Sequence, residues 1–407
     1  MCQSVSSPSN PTSRPEPCAA IVQRYPRRSG RSPGVGAVRS RYGEVVELNR
    51  DLVVAAPKVL LHDHLDGGVR PGTVIELAAE YGYPDLPSTD PDELASLVRR
   101  GANRRDLELY LQTFAHTVGV MQHPEAIRRV SRECVEDLAA DGVVYAEVRM
   151  APELCTEAGM ELDDVVVAIL EGFAEGEVAA AAAGSPVMVR LLVTAMRTAA
   201  RSSEIAELAL RHRHHGVVGF DIAGAEAGHP PSRHMDAFDR IRRAHFHSTI
   251  HAGEAFGLPS ISEALGWCGA ERLGHGVRIV DDIEITEAGP VLGTLANYVR
   301  DRRVPLEMCP SSNVHTGAAP SIQEHPIGVL MDLRFRVTVN TDNRLMSGVS
   351  LSDEFLLLAE HHGVDLAAMQ WLTVNAMKSA FVHFDERLAL IDDVIKPTYR
   401  ALGAGGA

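Results

Sequence analysis

Short apolar runs alternate with longer amphipathic segments along most of the chain, and this alternation constrains the fold more than any other feature. Eight runs have the length and the Val, Ile and Leu content of buried parallel strands. Eight such units predict an α/β fold, a parallel (β/α)8 barrel with its helices outside. An open, doubly wound sheet fits the alternation nearly as well, although no G-x-G-x-x-G loop follows the first run. The predicted strands are KVLLH (58–62), VVYAEVRM (143–150), VMVRLLVT (187–194), VVGFDIA (217–223), STIHA (248–252), RLGHG (272–276), VPLEMC (304–309) and RVTVN (336–340).

The segments between these runs carry helix signals. Four examples, at 123–140, 162–183, 202–212 and 350–361, combine apolar periodicity with capping residues. The interval between the first two strands is much longer than the others. We therefore expect several extra helices after strand 1.

The two ends of the chain differ in composition from the middle. Residues 1–45 are rich in Ser, Pro and Arg and lack apolar periodicity, which predicts a disordered tail or a start codon placed too early. A targeting peptide is the alternative, because transit sequences are also rich in arginine and serine. Residues 401–407 are expected to be a disordered C-terminal end. The predicted organisation is a single domain over residues 46–400.

Charge, hydropathy and cysteine spacing exclude several classes of partner. The formal net charge of −15 argues against nucleic acid, which calls for a basic surface. No apolar run reaches the about 20 residues that a membrane-spanning helix needs. The six cysteines are far apart and form no C-x-x-C pair, so we expect free thiols in a reducing compartment, the cytoplasm. A neutral small molecule is compatible with all these features.

Several predicted strands end in side chains that bind metals, although buried parallel strands are usually apolar throughout. His62 and His64 are two residues apart on strand 1 and therefore point to the same face. His251 ends strand 5, and Asp342 directly follows strand 8. Three imidazoles and a carboxylate at the carboxyl ends of barrel strands suit zinc, with positions left for water. Taken singly, His251 could equally be a hydrogen-bonded core histidine, and Asp342 a helix N-cap.

Two further residues near these strand ends have the chemistry of proton transfer. Glu254 lies in H-A-G-E, where Gly253 allows a tight turn, and a buried carboxyl group beside a metal can donate and accept protons. His275 lies between two glycines in L-G-H-G, so the backbone can approach its neighbours closely and the imidazole could orient a nucleophile. The structural alternatives are a first-turn glutamate and a packed polar strand residue.

Taken together, these segments resemble the adenosine deaminase family of the amidohydrolase superfamily. The motifs occur in the family's order between about residues 57 and 381, and as a set they are highly specific. The resemblance implies a TIM-type barrel and hydrolytic deamination of adenosine, and also of 2′-deoxyadenosine, in purine salvage. The matching segments are PKVLLHDHLDGG (57–68), GVVYAEVRMAP (142–152), FDIAGAE (220–226), TIHAGEA (249–255), RLGHGVRI (272–279) and VTVNTDN (337–343), with looser matches at LEMCPSSNVHTG (306–317) and NAMKSAF (375–381).

The resemblance also implies a metal site. His62, His64, His251 and Asp342 match the ligands of one zinc ion per chain, and His64 also faces the substrate. Two-metal relatives commonly bridge their ions through a modified lysine on the fourth strand, but no lysine occurs between residues 59 and 377. A single ion is therefore expected.

The remaining matched positions imply roles in catalysis and substrate binding. Glu254 matches the residue that protonates N1 of the purine. His275 matches the residue that orients the attacking hydroxide, with Asp342 as its proton acceptor. Asp66 matches a carboxylate that holds a ribose hydroxyl, and Gly224 matches a glycine whose backbone N–H meets N3 of the purine.

One position departs from the family pattern. The family often has T-D-D after the last strand, and its second aspartate contacts N7 of the purine. This chain has Asn343 there. An amide donates at any pH, so we expect Asn343 to supply the hydrogen bond to N7.

Other functions stay open on the sequence alone. A sister enzyme that acts on free adenine usually has H-L-E-G where this chain has H-L-D-G, so Asp66 favours a nucleoside; aminodeoxyfutalosine is another alternative substrate. AMP would need a phosphate-binding cluster, and none is readable beside the motifs. A catalytically inactive nucleoside-binding barrel should have lost a ligand or the proton donor, whereas all are present here. The oligomeric state is not specified by the sequence.

Overall fold

The computed structural model describes residues 46–403. The predicted N-terminal tail, 1–45, lies outside the described residues, as do residues 404–407 of the predicted C-terminal end. The strands are β1 Lys58–His64, β2 Val143–Met150, β3 Met188–Met196, β4 Val217–Ala223, β5 His247–Ala252, β6 Arg272–His275, β7 Ile283–Thr286, β8 Gly289–Leu292, β9 Pro305–Met308 and β10 Arg336–Val339. The α-helices are α1 Arg50–Ala55, α2 Pro71–Tyr81, α3 Pro91–Ala102, α4 Leu107–Leu111, α5 Ala115–Val120, α6 Pro124–Ala140, α7 Leu162–Ala182, α8 Ser202–Arg211, α9 Met235–Arg243, α10 Leu258–Gly266, α11 Thr294–Asp301, α12 Pro310–His315, α13 Ile327–Asp332, α14 Arg344–Ser347, α15 Leu351–His362, α16 Leu366–Ser379, α17 Phe384–Ala389 and α18 Lys396–Ala401.

Eight parallel strands form one sheet in the order β1–β6, β9, β10. Each of the eight predicted runs forms one of these strands, with ends that differ from the prediction by at most two residues. The four predicted helices correspond to α6, α7, α8 and α15. The extra helices expected after strand 1 are α2 to α5.

The last strand meets the first, so the sheet closes into a barrel. A parallel bridge joins Asp63 and Asp342. The Asp342 N–H donates to the carbonyl of His62 at 2.9 Å, and the His64 N–H donates to the carbonyl of Asp342 at 2.7 Å. The side-chain oxygen of Asn340 also accepts the N–H of Leu61 at 2.9 Å. We call this junction between the last and first strands the barrel seam. The prediction of a (β/α)8 barrel is confirmed, and the open doubly wound alternative is wrong.

The strands β7 and β8 form an antiparallel hairpin outside the barrel, which the sequence reading did not predict. The hairpin follows a 3-10 segment, Val277–Asp282, that leaves β6. Its strands have four residues each and are largely exposed or half-buried. They therefore lack the continuous apolar run that identified the barrel strands.

Charged side chains fill the lower part of the barrel interior. Arg149 donates to Asp221 and to Glu307, both at 2.8 Å. Arg272 lies 2.6 Å from Glu147 and 2.6 Å from Glu307. We call these five residues the interior network. All five are buried, so each charge is stabilised by its ion-pair partners rather than by water.

Two predictions from composition concern these elements. Within residues 46–403, no helix is long and apolar enough to cross a membrane. The cysteines in this range are buried free thiols, as predicted, while Cys2 and Cys18 lie outside the described residues. The four are Cys134, Cys155, Cys268 and Cys309.

Candidate active site

Side chains from three strand ends meet at the carboxyl end of the barrel. His62 and His64 lie on β1, His251 lies on β5, and Asp342 follows β10. Nε2 of His62 is 3.2 Å from Oδ1 of Asp342. Nε2 of His64 is 3.4 Å from the same oxygen and 3.3 Å from Nε2 of His251. Four atoms able to bind a metal therefore surround one small volume.

Buried carboxylates determine which ring nitrogen of two histidines faces that volume. Oε2 of Glu307 is 2.8 Å from Nδ1 of His62, and Oδ2 of Asp221 is 3.0 Å from Nδ1 of His251. Because a carboxylate accepts, each Nδ1 carries a proton and each Nε2 keeps a lone pair. Among the described residues, the buried Nε2 of His62 has no hydrogen-bond partner. This arrangement fits a divalent cation.

The carboxylate among these groups is also held in place. Asp342 has a φ of +61°, an uncommon value outside glycine that often occurs at functional sites. The hydroxyl of Ser312 donates to Oδ2 of Asp342 at 2.5 Å. Oδ1 is thereby left facing the Nε2 atoms of His62 and His64, where one cation could bind all three atoms.

A fifth group, His275 at the end of β6, lies beside this cluster. Ligand atoms of His62, His251, His275 and Asp342 all lie within 4.8 Å of one another. His64 is not in that set, although it contacts two of its members. The structure thus brings together all four residues predicted as ligands and adds His275, which was predicted to orient the nucleophile.

Glu254 is positioned by a second carboxylate, Glu226. Glu226 is buried and accepts four successive backbone N–H groups, those of residues 253 to 256, at 2.6, 3.1, 2.7 and 2.9 Å. Gly253 has a φ of +77°, which gives the tight turn predicted for H-A-G-E. Glu226 therefore acts as a clamp on the turn that carries Glu254. Glu226 is the last residue of the FDIAGAE motif, and no role was predicted for it from the sequence.

The environment of Glu254 favours its neutral form. Burial, followed by the nearby charge of Asp342, raises the pKa of Glu254 well above its usual range. The hydroxyl of Thr316 donates to Oε1 at 2.9 Å and opposes that rise. Oε2 lies 3.5 Å from Nε2 of His275. A protonated carboxyl group beside a metal-type site can act as a proton donor.

A cavity of about 300 Å³ opens above these groups. All the predicted site residues line it except His62, which lies beneath. Burial raises the pKa of Asp66 to about 7, and its Oδ1 has no hydrogen-bond partner within residues 46–403. Gly224 reaches the cavity with a φ of +105°. Asn343 packs so tightly against Gly67 that a Cβ there would lie 2.0 Å from its Oδ1.

An apolar wall covers one side of the cavity. It comes from the extra helices α4 and α5 and the 3-10 turn between them, a region in which the sequence analysis singled out no residue. Such a wall excludes water and offers a flat surface to an aromatic ring. The wall consists of Leu107, Leu111, Phe114, Ala115 and Val118.

A closed parallel barrel with a His/Asp cluster at its carboxyl end defines the class of amidohydrolase-type enzymes, and solved structures agree. An adenine deaminase from Arthrobacter aurescens aligns with a TM-score of 0.72 and 27% identity, covering 83% of this chain and 98% of that one. An amidohydrolase from Burkhoderia ambifaria, crystallised with bound Zn, aligns with a TM-score of 0.75 and 25% identity, covering 89% and 96%.

Sequence comparisons identify the family within that class. The family model described as adenosine deaminase matches residues 57–397. An adenosine deaminase from Mycolicibacterium vanbaalenii is 65% identical over 87% of this chain and 98% of its own length. Adenosine deaminase 1 from Streptomyces coelicolor is 65% identical over 86% of this chain and 89% of its own. The chain belongs to the adenosine deaminase family.

Proposed function

We propose that this enzyme hydrolyses adenosine to inosine and ammonia with one zinc ion. The observation that carries the proposal is the meeting of three imidazole Nε2 atoms and Oδ1 of Asp342 beside a buried carboxyl group, Glu254, in a cavity of about 300 Å³. The 65% identity to adenosine deaminases over most of the chain supports it. Purine salvage in the cytoplasm is the proposed setting.

His62, His64, His251 and Asp342 would hold the zinc ion. When bound there, zinc lowers the pKa of a coordinated water to about 7 and so supplies a nucleophile at neutral pH. The donor set of three imidazoles and one carboxylate matches zinc chemistry, and a related barrel was crystallised with Zn. No lysine in residues 59–377 is available to bridge a second ion, which supports a single site.

Proton transfer would be the task of Glu254. Burial raises the pKa of its carboxyl group well above the usual range and so favours the protonated form. The proton passes to N1 of adenine, which makes C6 electrophilic enough for water to add. Asp342 accepts the proton of the attacking water, and His275 orients that water. The proton held by Asp342 then passes to N6, the C6–N6 bond breaks, and ammonia leaves. The C6 hydroxyl returns its proton to Glu254 as the carbonyl of inosine forms.

Three other residues would select the nucleoside. The unpaired oxygen of Asp66 is available to a ribose hydroxyl. The backbone N–H of Gly224 would meet N3, and the amide of Asn343 would donate to N7. We expect 7-deazaadenosine, which lacks the N7 acceptor, to be a poorer substrate than adenosine. Equal kcat/KM for the two compounds would exclude the proposed role of Asn343.

The role of the metal is tested by the absorbance change that accompanies conversion of adenosine to inosine. Treatment with a chelator should abolish turnover, and one equivalent of Zn²⁺ per chain should restore it. Metal analysis of each sample provides the control. Full activity in protein with no detectable metal would exclude a metal-dependent mechanism.

The role of Glu254 is tested by Glu254→Gln, which keeps the size of the side chain but removes the acidic proton. We expect kcat to fall by about 10²- to 10⁴-fold while the zinc content stays unchanged. Glu175→Gln, on an exposed helix face, is the matched control and should retain wild-type kcat. Full turnover by Glu254→Gln would contradict the assignment.

The substrate is tested by comparing kcat/KM for adenosine, 2′-deoxyadenosine, adenine and aminodeoxyfutalosine. Adenosine should be best and 2′-deoxyadenosine should follow. The adenine deaminase that shares this fold makes free adenine the second candidate. A preference for adenine would mean that the part of the cavity proposed to hold the ribose has another function.

Protein that starts at residue 46 should retain full activity if residues 46–400 form the whole catalytic domain.

A further inference from the structure

The side chain of His275 faces the cavity through Nε2, and the position of its proton decides what it can do there. A neutral imidazole has one N–H donor and one lone pair. If Nε2 held the lone pair, His275 could bind a metal together with its neighbours. If Nε2 holds the proton, His275 can only donate, and its nearest acceptor is Oε2 of Glu254 at 3.5 Å.

Asn313 lies against the other ring nitrogen, and the orientation of its amide is fixed. Nδ2 of Asn313 is 3.0 Å from Nδ1 of His275. Oδ1 of Asn313 faces the backbone N–H of Cys309 at 3.3 Å. Because a backbone N–H is always a donor, the atom that faces it must be the oxygen. The group that faces His275 is therefore the NH2, which donates.

A second histidine supports the same orientation. His325 is buried, and its Nδ1 accepts the backbone N–H of Ile327 at 3.1 Å. Burial also lowers the pKa of His325 to about 3, so the ring is neutral and its one proton lies on Nε2. This Nε2 is 3.1 Å from Oδ1 of Asn313 and donates to it. Two independent donors thus hold the amide oxygen of Asn313.

We infer that Asn313 locks His275 in the tautomer that carries its proton on Nε2. Nδ1 of His275 accepts from the amide, so the Nε2 proton points into the cavity. This tautomer excludes His275 from the metal ligands and leaves His64 as the third imidazole. Asn313 is a positioning residue, because it acts only through His275. The tautomer follows from the hydrogen bonds alone, whereas its effect on turnover rests on the proposed function.

NMR tests the tautomer directly in protein labelled with ¹⁵N-histidine. The signals of His275 are assigned by their loss in the spectrum of His275→Gln. We expect Nε2 to be the protonated nitrogen in both the zinc-free and the zinc-loaded protein. A proton on Nδ1 in either form, or loss of the Nε2 proton when Zn²⁺ is added, overturns the inference.

Asn313→Asp tests the cause of the tautomer. A carboxylate can only accept, so the proton of His275 should move to Nδ1, and kcat for adenosine should fall about 100-fold or more while KM changes only a few-fold. Asn297→Asp is the matched control: its half-buried amide donates to the carbonyl of Leu292 at 2.9 Å, far from the cavity, and both kcat and tautomer should be unchanged.

The outcomes separate this inference from the proposed function. An unchanged tautomer or unchanged kcat in Asn313→Asp overturns the inference. If that variant does not fold, the spectrum of the wild-type protein still decides the tautomer. If the wild-type protein does not deaminate adenosine, the proposed function fails and the NMR result stands by itself.

Discussion

Carboxyl groups are buried in two regions of this molecule, and the two regions shift the pKa values of these groups in opposite directions. In the interior network, burial alone would raise the pKa values, but His251 and Arg149 bring the pKa of Asp221 to about 2. Arg272 and Arg149 hold the pKa of Glu307 well below its usual range in the same way. At the carboxyl end of the barrel, burial has the largest effect, and the pKa of Glu254 rises well above its usual range.

The comparison shows that partners, rather than burial, decide whether a buried carboxyl group is ionised. In the described part of the chain, no guanidinium forms a direct ion pair with Glu254. Each shift suits the role proposed for its region. An ionised carboxylate is needed to orient the ring of His62 or His251, and a neutral carboxyl group is needed to give a proton to the substrate.

The largest effect is expected when the interior network loses its central cation. Arg149→Met removes the cation that Asp221 and Glu307 share, although His251 still contacts Asp221 and Arg272 still contacts Glu307. We expect a loss of about 3–5 kcal/mol in the free energy of unfolding. Zinc affinity should fall about 10- to 100-fold, because these carboxylates orient His62 and His251. Denaturant titration and metal competition measure the two effects.

The matched control for that substitution is Arg128→Met. Arg128 forms an exposed pair with Glu175 at 3.6 Å, so the cost should stay below about 1 kcal/mol. Equal costs for the two variants would show that the interior network adds nothing to stability beyond a surface pair.

The second-largest effect on the free energy of unfolding is expected at a single buried carboxyl group, Glu354. Burial raises the pKa of Glu354 to about 8, although the N–H of Ser311 donates to it. Because the folded pKa exceeds the unfolded value, the stability that Glu354 contributes is complete at low pH and is lost as pH rises towards 8. Glu354→Gln should therefore be more stable than the wild type at pH 9, by on the order of 2–4 kcal/mol.

Unfolding measured at pH 5 and at pH 9 tests that expectation, because the difference between variant and wild type should shrink at the lower pH. A constant difference across this range would mean that Glu354 is ionised in the folded protein. It would then belong with Asp221 and Glu307 rather than with Glu254.

The buried carboxylate of Glu226 is held in a third way, by backbone N–H groups in place of arginines. Glu226→Gln keeps one acceptor oxygen and loses the other, so the turn that carries Glu254 should loosen. We expect kcat to fall by about 10- to 100-fold with little change in zinc content. If KM rose and kcat did not change, the clamp would affect substrate binding rather than the proton donor.

The smallest effect concerns the pH profile. If Glu254 donates its proton as proposed, kcat should fall as pH rises through its raised pKa. Thr316→Val removes a donor that stabilises the anion, raises that pKa further, and should move the alkaline limb to higher pH by less than about one unit. Thr398→Val, in α18, is the control and should leave the profile unchanged. A shift to lower pH would contradict the assigned hydrogen bond.

Much of the fold could be predicted from the sequence because each barrel strand is a short apolar run with its own signal. The choice between a closed barrel and an open sheet could not, since both give the same alternation. Closure depends on contacts such as that between Leu61 and Asn340, which local patterns do not contain. The hairpin of β7 and β8 was missed because its strands are short and only partly buried.

The candidate site divides in a similar way. Residues at strand ends, such as His62 and Asp342, could be identified because a polar group after an apolar run is conspicuous. Their roles in zinc binding and catalysis stay predictions. Glu226 and Asn313 act through other side chains, and no local pattern distinguishes them from ordinary polar residues. Phe114 and its neighbours were missed because apolar residues in a helix usually belong to the core.

The barrel seam has a consequence for how the protein is made. Leu61 and Asn340 are 279 positions apart, and the backbone of Asp342 closes the barrel while its side chain faces His62. A ribosome therefore releases the first two histidines long before the residue that completes their cluster. A nascent chain that stops before Asp342 holds these histidines without the carboxylate that completes the cluster and without the contact that closes the barrel.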